Sequence, residues 1–217
     1  MMVNEEERPD RALAVSYAPS RARAGLRALL ALDDALGRVS RNVREPMVGR
    51  LRYAWWFEAL ERLDGAPPPA EPVLRALAAD VLPHGVTGAA LAGMIDAWEV
   101  IGDDGPIDGA TLAAFADKRG GALFQAMARV CGADDRQARL AGEGWALVDL
   151  ASGLSDPAMA AKARAMAGER LRATMGRRWS RRGRALGALA LIARFELEGR
   201  SPAGRVGRLL MHRLTGR

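Results

Sequence analysis

Nowhere in this chain do apolar and polar residues alternate with period two over the length of a strand. That pattern constrains the fold more than any other feature, because a half-buried sheet needs such an alternation. β-Branched residues are sparse, and Ala, Leu, Arg and Glu, all good helix formers, dominate. The expected fold is therefore all-α. Prolines, glycines and capping residues divide it into eight or nine helices: about Ser20 to Val39, Pro46 to Gly65, Glu71 to Leu82, Thr87 to Ile101, Asp108 to Cys131, Asp134 to Ala151, Ser155 to Met175, Arg182 to Glu198 and Pro202 to Leu214. Thr87, Asp108 and Ser201 are predicted N-caps. Gly120-Gly121 interrupts the fifth helix, where a kink or a close approach of another backbone is expected. The one clear linker, Asp64 to Glu71, is too short to separate domains, so residues 1–217 read as a single helical domain with 1–11 unstructured.

Composition removes whole classes of chemistry. A single cysteine, Cys131, and two histidines, His84 and His212, cannot build a disulfide framework or a Cys/His zinc site. Cys131, at the end of an apolar helix, reads as an inert buried thiol, and His84, in a Pro-His-Gly loop, has no sequence neighbour to make it catalytic. The opening MMVNEEERPD lacks the apolar core of a signal peptide, and Ala185 to Ala193 falls well short of the ~20 residues that a membrane span needs. The expected location is cytoplasmic, with at most a peripheral attachment to the inner membrane.

Charge is uneven along the chain. From Arg170 onward there are thirteen arginines against Glu196 and Glu198, a net of +11, which leaves −5 for the first 169 residues of a chain whose total is +6. Such an end favours an anionic partner: acidic lipid or an acidic protein face. Arg177, Arg178, Arg181 and Arg182 cluster around Trp179, and the last helix looks amphipathic, with Val206, Leu209, Leu210 and Leu214 as one stripe and Arg205, Arg208 and His212 opposite. These six arginines are the candidate docking residues for an anionic surface. A nucleic-acid-binding motif is missing, which argues against RNA or DNA.

The most distinctive run is Glu45-Pro46-Met47-Val48-Gly49-Arg50-Leu51-Arg52-Tyr53-Ala54-Trp55-Trp56-Phe57-Glu58-Ala59-Leu60. It resembles the E-P-x-x-G-x-[IL]-R-[LY]-x-W-W-x-[DE]-A-[LI] segment of the squalene/phytoene synthase family, most clearly in the branch that includes a mitochondrial complex I assembly factor. Further segments follow in family order. Phe115 to Leu123 is similar to the family's Y-A-x-x-T-A-G-x-L, Gly142 to Leu147 to its G-x-A-x-x-L, and Leu189 to Phe195 to its late L-A-x-A-R-x-Y helix. The resemblance implies an isoprenoid-synthase-like helical bundle. In active members, two opposed aspartate-rich helical motifs bind magnesium ions over a prenyl diphosphate, since carboxylates three or four residues apart on a helix point the same way.

At the first motif's place this chain has only Asp33-Asp34, followed by Gly37 and Arg38, and Asp34 with Arg38 has the spacing of an ion pair. At the second, Asp149 stands alone, and Asp156 starts a helix, where a carboxylate is favourable in any case. Without magnesium an allylic diphosphate has no stabilised leaving group. The expectation is thus a non-catalytic relative without cofactor, an assembly or scaffolding factor for a membrane respiratory complex of the complex I type. Its candidate cavity or partner residues are Asp33, Asp34, Arg52, Trp55, Trp56 and Asp149. The competing expectations are a prenyl-diphosphate transferase with magnesium relocated to Asp33, Asp34 and Asp149, and a protein that holds an isoprenoid lipid without chemistry. The pairs Asp96 with Glu99 and Glu58 with Glu61 have metal-compatible spacing but read as solvated faces.

Overall fold

Among the described residues five helices begin at proline, at Pro9, Pro46, Pro72, Pro157 and Pro202, because a first-turn residue has no use for the N–H that proline lacks. The computed structural model describes residues 9–42, 45–102, 107–199 and 202–217. Among these the chain forms α1 (Pro9–Ser16), α2 (Arg23–Asn42), α3 (Pro46–Arg62), α4 (Pro72–Asp80), α5 (Gly88–Ala92), α6 (Ile95–Gly102), α7 (Gly109–Phe115), α8 (Ala122–Cys131), α9 (Ala138–Gly153), α10 (Pro157–Ala173), α11 (Arg184–Leu197) and α12 (Pro202–Thr215), with no strand. The all-α expectation holds. Thr87 and Asp108 cap as expected, accepting from the N–H of Ala90 at 3.1 Å and of Thr111 at 2.8 Å. The expected cap Ser201 lies outside the described residues.

More helical segments form than the sequence predicts. The run from Thr87 to Ile101 breaks into α5 and α6, and the run from Asp108 to Cys131 into α7 and α8, joined by a π-helical turn at Ala116–Gly121. α1 begins at Pro9, inside the stretch expected to be unstructured.

One continuous apolar core runs from Ala14 in α1 to Leu209 in α12. Its axis is α9, in which every residue from Ala141 to Val148 is buried, packed against α8, α10, α11 and the π turn. α11 is buried from Ala185 through Ala190, so its nearly charge-free run reflects burial in protein. The π turn meets α9 at bare backbone: a Cβ on Gly120 would lie 2.0 Å from the Gly142 carbonyl oxygen, and one on Gly142 equally close to that of Gly120. Only glycine at both positions permits that approach. It carries the residue before Gly120 into the centre of the molecule.

Candidate functional site

That residue is Arg119. It is 2% exposed, and its guanidinium donates from Nε to Asp33 Oδ1 at 2.7 Å and from Nη2 to Asp33 Oδ2 at 2.8 Å. The same Nη2 lies 2.8 Å from Asp149 Oδ2. Asp33 comes from α2 and is 1% exposed; Asp149 comes from α9 and is 25% exposed on its side chain. One arginine therefore bridges the two aspartates that stand at the places of the aspartate-rich motifs. Burial alone pulls the guanidinium toward losing its proton, but the charges of Asp33 and then Asp149 outweigh this and hold its pKa above the ordinary arginine value.

Aromatic rings close the space around the bridge. The Arg119 guanidinium carbon lies 4.4 Å from the ring centroid of Trp98, 5.0 Å from that of Trp145 and 5.4 Å from that of Phe115. Its neighbours lock the π turn: Lys118 Nζ donates to Asp96 at 2.8 Å, and Asp117 pairs with Arg139 of α9. Asp96 is thus a structural anchor. A π turn inserts one extra residue into a helix, and such turns concentrate at sites where a side chain must be re-aimed.

Asp34 is held by Arg11 of α1 at 2.8 Å, while the Arg11 guanidinium lies 5.2 Å from the Trp145 centroid. Beside them a pocket of about 310 Å³ opens between α1, α9 and α11, lined by Arg11, Trp145, Asp149, Leu189, Ile192 and Glu196 among others. The tryptophan pair divides: Trp56 is buried and Trp55 is 47% exposed, their rings meeting edge-on at 5.1 Å. Arg52 is exposed on α3, as are Met47 and Leu51. So Asp33 and Asp149 come together, Asp34 stands next to them through Arg11, and Arg52 and Trp55 lie on an outer face.

At the basic end, Arg178 donates to the Thr215 carbonyl at 2.8 Å and Arg182 to that of Gly132 at 3.2 Å. Arg177, Arg181 and Arg208 are exposed, and Arg205 lies 3.9 Å from Asp10. The predicted stripe on α12 is split. Leu209 and His212 turn inward, while Val206, Leu210, Met211 and Leu214 turn outward. Cys131 is fully buried, which pushes its thiol pKa up to about 12, and His84 is exposed.

An all-α bundle whose two central helices each offer an aspartate to a shared central space is an isoprenoid-synthase-like domain. The chain belongs to the squalene/phytoene synthase family, whose model it matches over residues 5–189. Among curated proteins and solved structures none matches it. The magnesium ions that this family implies do not fit the residues present. Both oxygens of Asp33 are engaged by Arg119, and among the described residues no three His, Cys, Asp or Glu side chains converge as a metal would need.

Arg119 is the residue that sequence reasoning missed. The signal was present: in the family's Y-A-x-x-T-A-G-x-L pattern, Arg119 stands at the threonine. A full charge there, in a helix otherwise bound for the core, calls for a buried partner.

Proposed function

We propose that this member of the family is non-catalytic and works by binding, as an assembly or scaffolding factor for a membrane respiratory complex of the complex I type. The observation that carries the non-catalytic part is the Arg119 bridge. Ionising a prenyl diphosphate requires cations placed over the leaving group. Here the carboxylates that would hold such cations are neutralised by a guanidinium belonging to the chain itself, and Trp98, Phe115 and Trp145 pack around it. The same filling favours a scaffold over a protein that keeps an isoprenoid in that space.

The assembly part is supported by the tryptophan-pair segment and by the surfaces available for docking: the open face of α3 with Met47, Leu51 and Trp55, and the arginine-rich end. Among the described residues no helix is long and apolar enough to cross a membrane, so attachment to a membrane complex would be through such surfaces. Incubation with farnesyl or geranylgeranyl diphosphate and magnesium is expected to yield no product, and any magnesium-dependent product overturns the reading. Deleting the chain in its native host should lower the amount of assembled complex I; an unchanged amount removes the assembly role.

A further inference from the structure

α12 has two faces of opposite character. Leu209 and His212 face the protein, and the end of the helix is fastened by its neighbours: Arg178 donates to the Thr215 carbonyl at 2.8 Å, Arg184 to those of Arg213 and Leu214, and the Trp179 N–H to that of Gly216 at 2.8 Å. The other face is apolar and open. Val206, Leu210, Met211 and Leu214 are each more than half exposed. At 100° per residue Arg208 borders this stripe on one side and Arg213 on the other, and Pro202–Thr215 contains no acidic residue. An apolar stripe flanked by arginines on both sides is the arrangement of a helix lying in a membrane interface.

Next to Arg208 lies a cleft of about 360 Å³ between the end of α10, α11 and α12. Leu171, Trp179 and Leu191 give it apolar walls, Arg177 and Arg208 line it, and among the described residues no Asp or Glu side chain does. Arg194 lines it too, already paired with Glu198. Apolar walls with exposed guanidinium groups match an amphiphile with an anionic head, since arginine's planar fork suits phosphate oxygens.

We propose that this cleft receives the phosphate of an anionic phospholipid headgroup while the neighbouring α12 stripe rests in the bilayer interface. This deepens the membrane side of the function proposed above, on which it rests. A soluble phosphate ester would account for the cleft alone. A bilayer accounts for the cleft and for four exposed apolar side chains beside it.

The test is sedimentation of the full chain with vesicles of phosphatidylcholine alone or mixed with phosphatidylglycerol, at low and high salt. Binding is expected only to the anionic vesicles, weakened by salt. The double variant Arg177→Gln/Arg208→Gln should bind roughly thirtyfold more weakly, the loss of two arginines at an anionic surface. Leu210→Ser/Leu214→Ser should bind at least about tenfold more weakly, and Arg62→Gln, exposed at the end of α3, should bind as the parent does. None of these side chains caps the end of α12, so all variants should unfold at the parent's temperature. Parent binding that both double variants retain overturns the cleft and the stripe as lipid contacts and leaves membrane docking standing. Binding to neither vesicle overturns both, and assigns the stripe to a protein partner.

Discussion

Removing Arg119 tests the centre of the structure most directly. Arg119→Ala leaves the Asp33 carboxylate 1% exposed and without its two charged donors at 2.7 and 2.8 Å. Breaking a buried pair by deleting one partner costs about 3–5 kcal/mol, because the surviving charge is left unsolvated. Loss of the contacts with Trp98 and Trp145 adds ~1 kcal/mol or more. Against a usual total stability of ~5–15 kcal/mol, the variant should lose a large fraction of its stability, a fall in Tm on the order of 10 °C for a chain of this size. Removing the second partner should restore part of it: in Arg119→Met/Asp33→Leu the buried charge is gone, while Asp149, one quarter exposed, can turn to water. Urea unfolding of the parent, Arg119→Met, Asp33→Leu and the double variant completes the cycle. The reasoning fails if Arg119→Ala loses less than about 1 kcal/mol, or if the double variant loses the sum of the singles, since either result means that the pair is not coupled in the fold.

Two further outcomes follow from the packing. Burial holds the His212 pKa below its usual 6.5 against the effect of its contact with the Arg184 carbonyl, so as the pH falls through that value the unfolded chain takes up a proton more readily than the folded one. The folded state should lose stability between pH 7 and pH 5, and His212→Asn should abolish the part of this pH dependence that belongs to α12; urea titrations at both pH values check it, and an identical slope in the variant refutes it. Gly120→Ala should cost about 3 kcal/mol, the upper end for overpacking, because its Cβ meets backbone of α9. Gly153→Ala, with nothing within 4 Å of its Cβ, should be neutral or stabilising by up to ~1 kcal/mol. Thermal unfolding of the two variants separates them, and similar losses would remove the special status of the Gly120–Gly142 contact.

The outline of the fold was legible because its punctuation is chemical and local. Pro46, Pro157, Thr87 and Asp108 act on the backbone within a few residues, whatever packs around them. The division of the Thr87 to Ile101 run was not. Between α5 and α6 the apolar spacing continues through Leu91, Ile95 and Trp98, so periodicity gives no break. Gly120-Gly121 marked where the π turn and the close backbone approach fall, but what the turn is aimed at is distant: the Gly142 backbone and the two aspartates. The same limit applies to the site. Asp33 and Asp149 could be picked out singly, but that one cation joins them depends on a contact between residues 86 positions apart. On α12 the spacing grouped Leu209 with Leu210, whereas the neighbours in space select Leu209 alone for the core.

Arginine count is a poor measure of what the basic end can bind, because the fold uses the same residue type for opposite purposes. Helix ends leave carbonyls unsatisfied, and a chain with few lysines and many arginines meets that need with guanidinium: Arg178, Arg182 and Arg184 hold backbone oxygens of Thr215, Gly132, Arg213 and Leu214. Arg194 is balanced by Glu198. In the centre Arg119 holds two carboxylates and becomes part of the core. A net charge of +11 over the last 48 residues therefore contracts, as a recognition surface, to side chains such as Arg177 and Arg208 that border open space with apolar walls. Charge-reversing the whole tail would disturb helix capping and recognition together. Neutralising those two arginines addresses recognition alone, which makes the position of an arginine, and not the number of arginines, the quantity on which anionic binding should depend.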